Sequence, residues 1–247
     1  MRVVCIIQAR MGSNRLPGKV MREICDTPML ELLIERLKHA RRLDAIVVAT
    51  TDKPADDVLE ALASRLDVGC FRGSEDDVLD RVLKAAQAAK ADVIVEITGD
   101  CPLTDPAMVD RVTDVYLANR YDFVGNRAAR IRPTYPNGFG IRIFSTAVLA
   151  EVDRLTQDPA DREHVSIYIW EHPERFTLHT ADSDLPERHW DHRLTVDTIE
   201  DLEVIRAIFE ELHPKNPAFG IGEVLEVLER RPELLEINKD VKQKPAR

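Results

Sequence analysis

The chain has 247 residues, 44% hydrophobic and 32% charged, with a net charge of −10. That size and balance fit one soluble α/β domain over residues 1–247 with a sizeable core. No apolar stretch approaches the ~18 residues of a membrane span, and the acidic balance argues against a nucleic acid polymer as partner.

Val3 to Ile7 (VVCII) is a continuous apolar run, as a central strand covered on both faces requires. No basic n-region or cleavable apolar segment precedes it. A polar loop follows, in which Arg10, Arg15 and Lys19 alternate with Gly12, Pro17 and Gly18. Three cations just past a first strand suit a polyanion at the carboxyl edge of a parallel sheet. The loop is not a standard phosphate loop, because five residues separate Gly12 from Gly18 and Val20 stands where a metal-binding hydroxyl belongs. A phosphate site and a solvated basic loop both fit these residues.

Thr27-Pro28 predicts a helix start, a hydroxyl cap followed by proline, with Met29, Leu33, Leu37 and Ala40 on one face. Ala45 to Ala49 reads as a strand, 56–66 as a helix and Val68 to Phe71 as a short strand. A helix striped by Val78, Leu79, Val82, Leu83 and Ala86 comes next, then a strand over Asp92 to Ile97. This alternation predicts βαβ units, a mainly parallel sheet and a three-layer α/β sandwich, with the loops after the strands on one edge. Asp100 lies on that edge, while Asp105-Pro106 caps the following helix. A turn residue and a metal ligand are both open for Asp100.

Asp122 to Asn126 predicts a strand, and residues 127–138 are basic and broken. Phe139 to Phe144 (FGIRIF) alternates like a half-exposed strand, so 127–144 is expected to form a small β arm. Ser145 to Leu155 and Asp161 to Glu171 read as helices, Phe176 to Thr180 and Leu194 to Val196 as short strands. Thr198 with Asp201 fits a capping box, which leaves Asp197 open as a turn residue. Residues 232–247 read as a weakly ordered tail.

Four cysteines, Cys5, Cys25, Cys70 and Cys101, form no C-x-x-C and no zinc spacing, which suits a reduced, cytoplasmic protein. Asp182-Ser183-Asp184 imitates a D-x-D, but it sits in a late polar loop. His189 and His192 are three apart beside Pro186, in a loop rather than a helix.

The stretch IIQARMGSNRLPGKVM resembles the opening signature of the CMP-sugar synthetases, cytidylyltransferases that make CMP-linked acidic 3-deoxy sugars. Within them it is closest to the spore-coat polysaccharide protein F branch. The resemblance continues through G-D-x-P-L at Gly99 to Leu103, R-E-H-V at Arg162 to Val165 and V-D-T-x-E-D-L at Val196 to Leu202. It covers about residues 1 to 210 and implies a nucleotide-diphospho-sugar-transferase-like fold. It implies CTP and an acidic sugar (nonulosonic or octulosonic) as substrates, and Mg²⁺ as cofactor. Arg10 and Lys19 would hold the triphosphate, and Asp100 and Asp197 the metal. Ala9, Gly12, Arg72, Ser74, Asp80 and Arg81 would line the nucleotide. Asn126, Arg127, Tyr135, Asn137, Arg142, Glu163 and His164 would meet the acceptor, with Arg130 a further cation. A homodimer through the arm is expected, with Tyr135, Phe139 and Ile141 exposed to the partner.

The family often reads Y-P-D-G-x-D-x-E where this chain has Tyr135-Pro136-Asn137-Gly138-Phe139-Gly140-Ile141-Arg142. Two acidic positions are thus Gly140 and Arg142. A nucleotidyl- or glycosyltransferase with another acceptor, or a non-catalytic nucleotide-binding subunit, therefore stays open.

Overall fold

The computed structural model describes residues 1–127 and 133–243. The expected Arg130 contact lies outside the described residues.

Four strands form the parallel half of a sheet: β1 (Val3–Gln8), β4 (Ala45–Thr51), β5 (Gly69–Gly73) and β6 (Val93–Thr98). β7 (Phe123–Gly125), β8 (Arg142–Ser145) and β9 (Leu178–Thr180) extend it to seven strands in the order β5-β4-β1-β6-β8-β7-β9. β8 runs antiparallel to both β6 and β7. β2 (Glu23–Ile24) and β3 (Thr27–Pro28) make a separate small hairpin.

Alternate residues of β1 feed two cores, as a strand buried on both faces must. Val3, Cys5 and Ile7 join the core under α1 (Met29–Leu37), α2 (Asp57–Arg65), α4 (Pro106–Ala118), α8 (Ile199–Leu212) and α9 (Ile221–Arg230). Val4 and Ile6 join the core under α3 (Val78–Ala88), α5 (Thr146–Leu155) and α7 (Ile167–Glu171), the last preceded by the short α6 (Pro159–His164). The three-layer, mainly parallel sandwich expected from the pattern is the fold observed. Among the described residues no helix is long and apolar enough to cross a membrane.

Four local expectations need correction. Thr27 does not cap α1: its hydroxyl donates to the Cys25 carbonyl, and the chain enters the helix from an extended Pro28. The described part of the expected arm does not project. Arg142–Ser145 is a strand inside the main sheet, and Tyr135, Phe139 and Ile141 are buried in the core rather than exposed to a partner. Gly138 makes that return possible, with φ of 104° and a Cβ position only 2.1 Å from the Leu194 carbonyl oxygen. Leu194 to Val196 is not a strand; a single bridge pairs Asn137 with Arg193. The described part of the tail, up to residue 243, is not loose either. It forms α10 (Glu233–Ile237), buries Leu234, and then buries Asn238 against Arg193 and Asp201.

Candidate active site

The loop after β1 is pinned before it reaches the site. The Met11 N–H donates to Asp56 Oδ1 at 2.7 Å, and Asp56 also accepts from the backbone and hydroxyl of Thr51. Asp56 is buried, and nothing in its spacing announces this role. Gly18 then turns with φ of 68°, a conformation that glycine takes without strain, and starts a single 3₁₀ turn at Lys19.

That turn aims Lys19 into the sheet edge. Its Nζ lies 2.9 Å from Asp100 Oδ2, 2.9 Å from Asp197 Oδ1 and 2.8 Å from the Val196 carbonyl. Three segments far apart in sequence thus converge on one ammonium, as strand-end loops of an α/β sheet can. Asp197 also pairs with Arg15 at 2.9 Å and with Arg193 at 2.7 Å. Arg193, which the sequence does not single out, is held by Asp201 at 2.8 Å. Asp201 is fully buried and closes the α8 capping box with Thr198, as expected.

Burial works against the charge on both partners, but the ion pairs outweigh it. Asp100 and Asp197 hold Lys19 above its ordinary range, and Lys19, Arg193 and Arg15 hold Asp197 below the usual carboxylate range. Cys101 is different. Burial pushes its thiol up to about 12, so it is a neutral, inert side chain.

The two carboxylates already share one cation, so the donor set suits a hard divalent ion. Among the described residues no cluster of three or more His, Cys, Asp or Glu could hold a metal. A magnesium here would draw its remaining ligands from phosphate and water, which is its usual habit.

Arg10 turns the other way, its guanidinium 3.3 Å from the Glu75 carbonyl. It stands beside an open cavity of about 540 Å³ lined by Lys53, Phe71, Arg72, Ser74, Glu75 and Asp80, among others. Arg72 lines this cavity, but its donors are committed to Thr51 O, Lys53 O, Asp57 and Glu60. Arg81 is buried beneath the loop, donating to the carbonyls of Ser74 and Glu75, and burial lowers its pKa to about 10. Asp80 pairs with Lys84 at 2.8 Å. Ala9 is buried at the end of β1, and Gly12 lies against Glu75.

The expected acceptor residues divide into two groups. Asn126 is buried and committed: its amide bonds Phe139 O and the Ile141 N–H, both at 2.7 Å, so it holds the returning loop instead of facing an open site. Tyr135 is buried too, and Arg127 donates to its carbonyl at 2.7 Å. Asn137 contacts Gln243 of the tail. Arg142, Glu163 and His164, by contrast, line one pocket of about 120 Å³. The departure at Arg142 has a partner: Glu96 faces it across the β6–β8 register, 3.6 Å away. Arg162 of the R-E-H-V segment is structural, clamping Asp77 at 2.9 Å and Asp153 at 2.7 Å. His189 and His192 bond each other at 3.2 Å, and Asp182 meets Thr134.

A family model described as cytidylyltransferase matches residues 4–231. The spore coat polysaccharide biosynthesis protein SpsF of Bacillus subtilis is 34% identical over 236 residues, 94% of this chain and 95% of that protein. The 8-amino-3,8-dideoxy-manno-octulosonate cytidylyltransferase of Shewanella amazonensis is 26% identical over 222 residues, 84% of this chain and 86% of that enzyme. A solved cytidylyltransferase from Leptospira borgpetersenii superposes with a TM-score of 0.89 at 34% identity, covering 99% of each chain. With the loop–carboxylate geometry, these matches make the chain a nucleotidyltransferase that belongs to the cytidylyltransferase family.

Proposed function

We propose that the protein transfers CMP from CTP to a hydroxyl of an acidic 3-deoxy sugar, a nonulosonic or octulosonic acid, and releases pyrophosphate. The observation that carries this is Lys19 Nζ lodged between Asp100 and Asp197 at the carboxyl edge of the sheet. A triphosphate arriving there offers the ammonium stronger acceptors than the two carboxylates, and Lys19 moves to it. Asp100 and the Oδ1 of Asp197 would then be free to hold Mg²⁺, which would supply charge neutralisation at the phosphates, while Arg15 and Arg193 stay on the other Asp197 oxygen. Arg10 sits on the side of the larger cavity, where a nucleotide has room. The acceptor oxygen attacks the α-phosphorus in line, the bond to the bridging oxygen breaks, and the hydroxyl proton leaves to solvent. Positioning and charge stabilisation do most of the catalysis. No side chain is required as a dedicated base.

The name of the Shewanella amazonensis relative, an octulosonate cytidylyltransferase, supports an acidic sugar as acceptor. Arg127 is a cation available to its carboxylate. The experiment is pyrophosphate release with each of the four NTPs against a panel of acidic 3-deoxy sugars. Release that needs CTP and one such acid is expected. Release with another NTP alone, or with neutral sugars alone, would overturn the proposal.

A further inference from the structure

One buried carboxylate has no part in the chemistry above. Gln8, Glu96, Thr98 and Arg142 stand at neighbouring register positions on β1, β6 and β8. They lie on the sheet face that carries Val4, Ile94 and Phe144. Glu163, His164, Ile167 and Trp170 of α6 and α7 cover them and complete the pocket of about 120 Å³. Glu96 is only 2% exposed. Its Oε1 accepts from Gln8 Nε2 at 2.8 Å and faces Arg142 at 3.6 Å. Its Oε2, equally buried, meets no hydrogen-bond partner among the described residues.

A cross-strand ion pair explains one oxygen of Glu96 and not the other. A buried carboxylate oxygen is costly unless a donor reaches it. The pocket holds two carboxylates, Glu96 and Glu163, and one guanidinium, Arg142, beside the His164 imidazole. That balance favours a cationic donor over an anion. Thr98 stands two residues before Asp100, so an acceptor whose hydroxyl is at the reacting centre can extend a distal group into this pocket.

We infer that the pocket is a specificity subsite for the acceptor, in which Glu96 Oε2 receives an ammonium group carried by the acidic sugar. This presupposes the CMP transfer proposed above. The test compares 8-amino-3,8-dideoxy-manno-octulosonate with 3-deoxy-manno-octulosonate, its hydroxyl counterpart. Both kcat/KM for pyrophosphate release from CTP and calorimetric binding, beside a non-hydrolysable CTP analogue, are measured. Wild type should favour the amino acid by roughly 10- to 100-fold. Glu96→Gln, nearly the same size, should bring the ratio within about threefold of one while the KM for CTP stays put. Equal use of both acids, preference for the hydroxyl acid, or a preference unmoved in folded Glu96→Gln would overturn the inference. If the variant does not fold, the wild-type ratio decides alone. If neither acid is turned over, the proposed reaction falls, and binding decides the subsite. Tighter binding of the amino acid sustains it, and equal binding or none overturns it.

Discussion

Lys19 is paired twice, and both pairs are mostly shielded from water. Its removal takes a charge-assisted phosphate contact from the nucleotide, worth about 1.5–3 kcal/mol. Lys19→Ala should therefore weaken CTP binding roughly 10- to 150-fold with little change in acceptor affinity. Calorimetry that finds unchanged CTP affinity would remove the loop from the triphosphate site. The same cluster sets a pH window. Asp197 lies below its ordinary 3.8, so its contribution is complete above that pH and fades as pH falls through the depressed value. Lys19 lies above its ordinary 10.5, so its contribution holds below that pH and fades as pH rises through the raised value. The melting difference between wild type and Asp197→Asn should thus be widest near neutrality and close below pH 3.8. A difference that persists unchanged in acid would mean that the carboxylate's charge is not what stabilises. Asp100 and Asp197 are legible because each follows an apolar run on the predicted loop edge. Arg193, Asp56 and Glu96 are not, because no spacing says which way a lone charged side chain turns.

α10 and the residues after it act as a brace for the site. Asn238 donates to the Arg193 carbonyl at 3.0 Å and to Asp201 Oδ1 at 2.9 Å, and Arg193 in turn grips Asp197. Asn238→Ala removes two hydrogen bonds, one buried and one partly buried, at a cost of about 1–3 kcal/mol. The melting temperature should drop by roughly 3–10 °C; a drop under 1 °C would show that the brace contributes nothing. The sequence hides this element because five helical residues carry too little periodicity to register. Several longer elements were plain by comparison, though α9 was not. α3 declares itself through its apolar stripe, and α4 through Asp105, whose carboxylate also accepts from the Ile221 N–H of α9 at 3.0 Å. β8 was read as an arm because Phe139 to Phe144 alternates. The polar members of that alternation, Gly140 and Arg142, are half-buried, and Arg142 faces a buried glutamate across the sheet.

At the scale of the whole molecule, strands were readable in both halves of the sheet, but only the pairing of the parallel half was; the sequence does not say how β7, β8 and β9 join it. Apolar runs separated by helices dictate β1, β4, β5 and β6, whereas three-residue strands such as β7 and β9 take their neighbours from tertiary contacts. The sheet edge so built brings Lys19, Asp100 and Asp197 together. A ligand that binds only the folded chain stabilises it by about 2.7 kcal/mol at 100 times its Kd. CTP with magnesium should then raise the melting temperature by roughly 5–10 °C, and GTP far less. Equal shifts with both would deny a site selective for cytidine.

We propose that Asp100 serves the reaction and not the fold. Its side chain is a quarter exposed, unlike that of Asp197, which lies among three cations and should cost stability when changed. The decisive measurement is steady-state turnover of Asp100→Asn at saturating magnesium and CTP, alongside its melting curve. Turnover lowered by at least about 100-fold, with melting within a few degrees of wild type, is the predicted result. Turnover near wild type in a protein that melts normally would contradict it.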